Sequence, residues 1–264
     1  NIKRGEAMKS KIIYYENELT DDFSGFQRNR IDIDQSYPYM RGKLWSFFAH
    51  LFYRMVRIFA FFYMKIRFSV QFENRRALKL HKKDGYFIYA NHTHIPADGF
   101  LPALICYPKR IKVLVCSENL SLKGTKNLMA MLGAVPIPTK LSGMRNYKAY
   151  LHHLIFLQEG IMIYPEAHVW PYYTKIRPFG EAAFTYPVIE NTPVYSFTVT
   201  YHKKRIRTKM ICYVDGPFYP KNNLSQKEAS KALRNEVYEA MVRRSKKNTY
   251  EKIKYVKKER VGIC

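Results

Sequence analysis

Cysteine is scarce and widely spaced in this sequence of 264 residues. Cys106, Cys116, Cys212 and Cys264 include no pair at the close spacing of a zinc knuckle or a redox motif. The pattern therefore excludes both of those motifs, and it predicts free thiols in a reducing compartment.

Acidic residues are also few. The chain has 21 Asp and Glu against 45 Lys and Arg, which gives a formal charge of +24. Such an excess concerns partners rather than fold, and it leaves nucleic acid, an anionic membrane and acidic metabolites open. Apolar residues make up 47% of the chain, which excludes a disordered protein.

A clean transmembrane run is missing, although residues 43–68 are the most apolar part of the chain. Basic and polar residues interrupt this segment at intervals of three, four or eight, so they form a stripe along one helical face: Lys43, Ser46, His50, Arg54, Arg57 and Lys65. A mostly apolar helix with a narrow basic stripe is typical of the membrane interface. A core helix with an exposed edge is the alternative.

Strand and helix patterns alternate from residue 85 onward. Apolar runs such as GYFIYA and IMIYPE predict buried strands, and MRNYKAYLHHLIFLQEG predicts an amphipathic helix that closes at Gly160. A later helix is expected to start at Ser225, with Glu228 at the capping-box position. The alternation predicts an α/β fold with a mainly parallel central sheet flanked by helices, preceded by an N-terminal amphipathic membrane-binding helical segment.

The same patterns divide the chain into four segments. We expect a polar, irregular extension over residues 1–40, membrane-interface amphipathic helices over 41–76, an α/β domain over 77–220, and a C-terminal helix with a basic tail over 221–264.

The segment YANHTHIPADGF, residues 89–100, lies where a predicted strand gives way to a helix, a place where sites collect in such sheets. His92 and His94 with Asp98 have three interpretations. They are metal ligands, which would need further ligands elsewhere; or loop side chains that bond to backbone; or a histidine base oriented by a carboxylate. A base of that kind takes a proton from a hydroxyl of the substrate, which suits acyl transfer to an alcohol.

Four short segments, in order along the chain, resemble the motifs of the glycerolipid acyltransferases of the lysophosphatidate acyltransferase type. They are Asn91-His92 with Asp98, the stretch Gly133–Ile137, Tyr164-Pro165-Glu166, and Pro193-Val194. The resemblance implies an α/β acyltransferase domain, with membrane-embedded helices before the first motif.

The sequence also departs from this family. The gap between His92 and Asp98 is one residue longer than usual, so His94 stays an alternative base. The arginine of the third motif is missing, and Lys175 or Arg177 is expected to replace its charge. By the resemblance, Lys140 is the basic residue of the second motif, and Asn91 and Glu166 belong to the substrate-binding set.

The resemblance implies transfer of a fatty acyl group from acyl-CoA or acyl carrier protein to lysophosphatidate, giving phosphatidate. Backbone N–H groups at the start of the following helix are expected to stabilise the oxyanion. No cofactor or metal is expected. The expected partners are the lysophospholipid and an anionic membrane, at its cytoplasmic face. Glycerol-3-phosphate or another lysophospholipid is an alternative acceptor. A metal-dependent hydrolase and a nucleic-acid-binding module, to which 22 tyrosines would contribute stacking, are more distant alternatives.

Overall fold

The computed structural model describes residues 11–25, 29, 31–81, 83–120, 125–205 and 207–258 of the chain. The helices found there are α1 (Lys43–Phe68), α2 (Ile95–Ile105), α3 (Thr125–Met131), α4 (Met144–Phe156), α5 (Thr185–Glu190) and α6 (Gln226–Ser245). The strands are β1 (Lys11–Tyr15), β2 (Gln71–Glu73), β3 (Tyr86–Ala90), β4 (Ile111–Val115), β5 (Ala134–Pro136), β6 (Gly160–Ile163), β7 (Val194–Lys204), β8 (Arg207–Phe218) and β9 (Ile253–Lys257).

Seven of these strands form the central sheet, in the order β2-β8-β7-β3-β6-β4-β5. The pairs β3-β6, β3-β7, β4-β6, β4-β5 and β2-β8 are parallel, and only the hairpin β7-β8 is antiparallel among the pairings described. The predicted α/β fold with a mainly parallel sheet is confirmed. Because the parallel strands end at one edge of the sheet, the segments that follow β3 and β6 lie side by side.

Apolar layers cover both faces of the sheet, as alternation along β3 shows. Tyr86 and Ile88 point into a cluster that includes residues of α1 and α2, whereas Phe87 and Tyr89 point into a cluster with residues of α4 and α6. All four side chains are buried. A strand buried on both faces reads as a continuous apolar run, which is why GYFIYA was recognisable from the sequence.

Helix α1 is one continuous helix whose buried face packs on the domain through Ala49, Tyr53, Ala60, Met64 and Phe68. Its outer face carries large exposed apolar side chains: Leu44, Phe47, Phe48, Leu51, Met55, Ile58, Phe59, Phe62 and Ile66. By length and composition α1 could cross a membrane, and 22% of its most apolar window is buried. So large an exposed apolar face indicates that the protein associates with a membrane.

The ends of the chain differ from the irregular extension and basic tail that the sequence predicts. Strand β1 pairs in parallel with β9, in a two-stranded sheet that joins the two ends of the described chain. Further along, Ile33, Tyr37 and Tyr39 are buried in the core. The expected irregular extension did not include this strand or these core residues, because charged residues interrupt the apolar pattern around them.

The helix expected to close at Gly160 ends earlier, at Phe156. Gly160 instead begins β6, where a Cβ atom would lie 2.8 Å from the ring of Tyr86. The capping box predicted for α6 is confirmed, since the side chain of Ser225 accepts from the N–H of Glu228 and the Glu228 carboxylate accepts from the N–H of Ser225.

Candidate active site

The candidate site is built on the turn between β3 and α2. Asn91 directly follows β3, and the nitrogen and oxygen of its side-chain amide both form hydrogen bonds to the neighbouring strand β7. Its Nδ2 donates to the carbonyl of Val199 at 3.1 Å, and its Oδ1 accepts from the Val199 N–H at 2.8 Å. Asn91 is buried, so the amide fixes the strand end that carries His92 instead of facing a ligand.

His92 and Asp98 form a direct hydrogen bond. Nδ1 of His92 lies 2.7 Å from Oδ2 of Asp98, and the carboxyl side chain is 4% exposed. The His92 side chain is 20% exposed, and its Nε2 forms no hydrogen bond with the described residues. A carboxylate on Nδ1 favours the tautomer whose Nε2 is a free acceptor, which is the state a general base needs.

The longer gap between these two residues is absorbed by the start of α2. His94 is the N-cap of this helix, Pro96 lies in its first turn, and Asp98 follows in the same turn. The carboxylate of Asp98 reaches back and also accepts from the backbone N–H of His94 at 2.8 Å. The extra residue is therefore accommodated without moving Asp98 away from His92.

The ring of His94 is engaged on both nitrogens. Nδ1 accepts from the N–H of Ala97 at 3.4 Å, and Nε2 lies 3.2 Å from the hydroxyl of Tyr172. Burial lowers the pKa of His94, partly offset by the charge of Asp98. A neutral ring that caps a helix and bonds a tyrosine has no nitrogen left for a substrate, so the geometry favours His92 over His94 as the base.

Glu166 and Arg177 form a buried ion pair behind His92. Oε2 of Glu166 lies 3.3 Å from Nη2 of Arg177, and both side chains are fully buried. The same oxygen accepts from the backbone N–H of His92 at 3.1 Å, and Oε1 accepts from the N–H of Arg177 at 3.0 Å. Burial raises the pKa of Glu166, and the charge of Arg177 opposes that rise. Glu166 therefore holds the backbone of His92 in place.

Arg177, one of the two residues expected to replace the missing charge of the third motif, is fully buried. Its Nη1 donates to the carbonyl of Glu18 at 3.3 Å, and its Nη2 also donates to the carbonyl of His168. The guanidinium lies 4.9 Å from the ring of Trp170. Through these contacts, Arg177 stabilises the loop after β6.

Tyr164, the first residue of the third motif, supports the pair of His92 and Asp98 in two ways. Its ring stacks on the ring of His92 with centroids 4.5 Å apart, and its hydroxyl donates to the backbone carbonyl of Asp98 at 2.7 Å. The sequence shows a tyrosine at this position, but only the structure shows that its hydroxyl bonds Asp98.

The two remaining predicted cations lie apart from this pair. Lys140 follows β5, three strand spacings from β3 or roughly 14 Å across the sheet. It is paired with Asp32 at 2.7 Å, and this contact raises the pKa of Lys140. Lys175 is exposed, two residues before Arg177. The structure brings neither into contact with His92.

Two cations that sequence reasoning missed lie beside His94. The ring of His94 meets Phe68 at 4.9 Å and Tyr172 at 5.1 Å, both edge to face. Arg67 lies over Phe68 at 4.9 Å, and Lys252 lies over Tyr172 at 4.0 Å. Neither cation has a carboxylate partner in the part of the chain that the structure describes. Composition could not identify these two cations, because the chain has 45 Lys and Arg and nothing in the sequence distinguishes these two from the rest.

The start of α2 offers fewer backbone donors than expected. The N–H groups of His94, Ala97 and Asp98 are bonded within the turn, and Pro96 has none. Among described residues, the N–H of Ile95 is the first-turn donor without an acceptor. Side chains that could hold a metal ion do not form a group of three anywhere in the described chain.

No protein-family model matches the chain, and no curated protein matches it in sequence. In structure, it is similar to the 1-acyl-sn-glycerophosphate (LPA) acyltransferase PlsC from Thermotoga maritima. The TM-score is 0.52 at 16% identity, and the match covers 80% of this chain and 86% of that one. At this identity the likeness shows the fold, and it confirms the α/β architecture that the sequence resemblance implies.

Proposed function

We propose that the protein is an O-acyltransferase that moves a fatty acyl group from acyl-CoA or acyl carrier protein to the free hydroxyl of lysophosphatidate, making phosphatidate. One observation carries the proposal. The imidazole of His92 is bonded through Nδ1 to Asp98 at 2.7 Å and presents Nε2, at the end of a central parallel strand. The fold shared with the acyltransferase PlsC supports it.

The reaction follows from this arrangement. Nε2 of His92 takes the proton of the acceptor hydroxyl as the hydroxyl oxygen attacks the thioester carbonyl. Asp98 stabilises the imidazolium that forms. The tetrahedral oxyanion collapses, the carbon–sulfur bond breaks, and the leaving thiolate takes the proton from His92. The N–H of Ile95 is the backbone donor that we assign to the oxyanion.

The acceptor's phosphate needs cations close to His92. Arg67 and Lys252 lie on either side of His94, over the rings of Phe68 and Tyr172 that contact it. The backbone N–H of His94 donates to the same Asp98 carboxylate that bonds the ring of His92. Both charges act on the ring of His94, which places them within electrostatic range of the site. We assign the phosphate to these two side chains and, as the exposed cation of the neighbouring loop, to Lys175.

The lipid acceptor is expected to come from the membrane on which α1 lies. Phe59 and Tyr63 of α1 contact Phe100 of α2, and Phe68 at the end of α1 contacts His94. The apolar helix and the site are therefore continuous. A lysophospholipid can keep its chain in the lipid while its glycerol approaches His92. We expect the protein at the cytoplasmic face of an anionic membrane, without a cofactor and without nucleic acid as a partner.

The test is acyl transfer in mixed micelles, with lysophosphatidate as acceptor and acyl-CoA or acyl carrier protein as donor. Phosphatidate is followed by mass spectrometry. We expect His92→Ala and Asp98→Asn each to lower kcat by about 10²–10⁴-fold, the usual contribution of general-base catalysis. His94→Asn, which keeps a capping side chain, is the matched control and should retain activity.

The alternatives make different predictions in the same assay. Product from glycerol-3-phosphate or a lysophospholipid with a headgroup, but not from lysophosphatidate, would change the acceptor and keep the reaction. Absence of product with every acceptor and both donors would contradict the proposal. Retention of the protein on RNA instead of on vesicles would favour the nucleic-acid-binding alternative.

A further inference from the structure

A cavity of about 450 Å³ lies away from the candidate active site. It is bounded by the first turns of α1, by β5, and by the last turn of α4. Arg110 and Lys112, at the amino end of β4, also line it, as does Glu159, just before β6. Because β3, β4 and β6 are parallel, this is the edge of the sheet opposite the end of β3 that carries His92.

The lining of this cavity carries more positive than negative charge. Arg41, Arg110 and Lys112 face it, and Glu159 is its one carboxylate among the described residues. Glu159 forms an ion pair with Lys112, with Nζ and Oε2 3.4 Å apart, although this oxygen accepts no hydrogen bond from the described residues. Within the described part of the chain, neither arginine has a carboxylate partner.

Two of these cations are buried without a full set of ion-pair and hydrogen-bond partners. Lys112 is 8% exposed, and burial lowers its pKa. The charge of Glu159 opposes this decrease, and the charge of Arg110 increases it. Arg110 donates through Nη2 to the carbonyl of Met131, but its buried Nε meets no acceptor among the described residues. A buried cation that lacks part of its hydrogen bonding is costly, so the charge of Arg110 would be stabilised by an anion in the cavity.

Aromatic side chains hold both arginines in place. The guanidinium of Arg41 lies 4.2 Å from the centre of the Trp45 ring, and that of Arg110 lies 5.3 Å from the centre of the Tyr53 ring. Tyr150 lines the same cavity. Burial raises the pKa of this tyrosine to about 12, the charge of Glu159 adds to the rise, and the charges of both arginines oppose it. Two guanidinium groups held by aromatic rings at one cavity are suited in charge and hydrogen-bonding capacity to a phosphate.

The position of the cavity indicates where that phosphate comes from. Trp45, on the first turn of α1, lines the cavity, whereas Leu44, Phe47 and Phe48 on adjoining positions are exposed. When these apolar side chains enter a bilayer, the cavity lies at the level of the lipid headgroups. We propose that this cavity is a second lipid site that binds the phosphate of an anionic phospholipid, separate from the acyl acceptor.

The experiment uses the full chain in detergent and dihexanoyl-phosphatidylglycerol, an anionic lipid that is neither acceptor nor product of the proposed reaction. Binding is measured by calorimetry for wild type, Arg110→Gln and Arg145→Gln. Arg145 is an exposed arginine of α4 that does not line the cavity, so its variant matches the charge change. We expect Arg110→Gln to bind about 10- to 100-fold more weakly, the effect of a lost bond to a charged group, and Arg145→Gln to bind as wild type does.

A second readout guards against a variant that fails to fold. The chain has two tryptophans, and Trp45 lines the cavity while Trp170 does not. Phosphatidylglycerol should change the fluorescence of wild type and not that of Trp45→Phe. Equal affinity for inorganic phosphate would overturn the assignment to a lipid. Equal affinity for dihexanoyl-phosphatidylcholine, or equal weakening in Arg110→Gln and Arg145→Gln, would overturn the site.

Discussion

Oδ2 of Asp98 accepts two hydrogen bonds at once, from Nδ1 of His92 and from the backbone N–H of His94. The carboxylate thereby ties the orientation of the His92 ring to the first turn of α2. Tyr164 adds a third constraint, since it stacks on the ring and bonds the carbonyl of Asp98. The result is a ring whose tautomer and plane are both fixed before a substrate arrives, which is the condition for efficient proton transfer.

At the residue scale, His94 gives a prediction about pH. Burial lowers the pKa of His94 in the folded protein, whereas in the unfolded chain the ring titrates near 6.5. The contribution of His94 to the free energy of unfolding is therefore fully present above about pH 6.5. It decreases as the pH falls from there toward the lower pKa of the folded state, because the unfolded chain binds the proton more readily.

The variant His94→Asn keeps a good N-cap residue and cannot be protonated. We expect the fall in Tm between pH 7.5 and pH 5.5 to be smaller in this variant than in wild type, by roughly 2–4 °C for each kcal/mol removed. Thermal unfolding followed by circular dichroism at the two pH values measures this difference. An identical fall in both proteins would show that His94 is not the group that titrates.

At the element scale, α1 presents three different surfaces. One packs on the domain, one is apolar and exposed, and between them runs the basic stripe, of which Arg54 and Lys65 are exposed. The stripe was predictable because a period of 3.6 residues is local information. Which of the remaining faces meets the protein was not, because Ala49, Ala60 and Met64 are distinguished from their neighbours only by the surface of the sheet beneath them.

The two exposed surfaces of α1 predict two kinds of membrane variant. Phe48→Ser with Phe62→Ser removes apolar area and should weaken binding to any vesicle, because a fully buried aromatic side chain contributes about 1.5–3 kcal/mol. Arg54→Gln with Lys65→Gln should weaken binding only to anionic vesicles, by about 1 kcal/mol for each charge. Vesicle flotation with phosphatidylcholine alone and with added phosphatidylglycerol separates the two effects. Equal loss on both vesicle types in the charge variant would argue against an interfacial stripe.

Features of the fold that depend on neighbouring residues could be predicted from the sequence, whereas features that depend on contacts between distant residues could not. Strands β3 and β6 are visible as apolar runs, and candidate sites collect at the carboxyl ends of such strands, so His92, Asp98 and Glu166 could be selected as candidates from the sequence. The pairing of β1 with β9 was not, because the partners lie at opposite ends of the chain and both contain charged residues. The position of Lys252 beside Tyr172 depends on that pairing and was hidden for the same reason.

At the scale of the whole molecule, the two terminal segments converge on Trp170. Tyr15 and Phe23 from one end and Tyr255 from the other contact its ring at 4.8, 5.2 and 5.0 Å. Trp170 is fully buried, and its backbone N–H donates to the carbonyl of His92 at 3.2 Å. The ends of the described chain therefore support the residue that we assign as the base, without approaching the substrate.

This arrangement predicts that a residue of the terminal strands controls both stability and turnover. Tyr255 stacks on Trp170 and donates through its hydroxyl to the carbonyl of Pro171 at 2.9 Å. Tyr255→Ala removes a large ring from a packed cluster, so we expect a loss of roughly 2–4 kcal/mol in the free energy of unfolding. We also expect a lower kcat, because Trp170 would no longer hold the carbonyl of His92.

Tyr14→Ala, which removes an exposed tyrosine from β1, is the matched control and should change neither stability nor kcat. Denaturant unfolding followed by tryptophan fluorescence, together with acyl transfer at a temperature where both variants are folded, measures the two effects. A Tyr255→Ala protein that is less stable but turns over at the wild-type rate would show that the terminal sheet supports the fold alone and not the site.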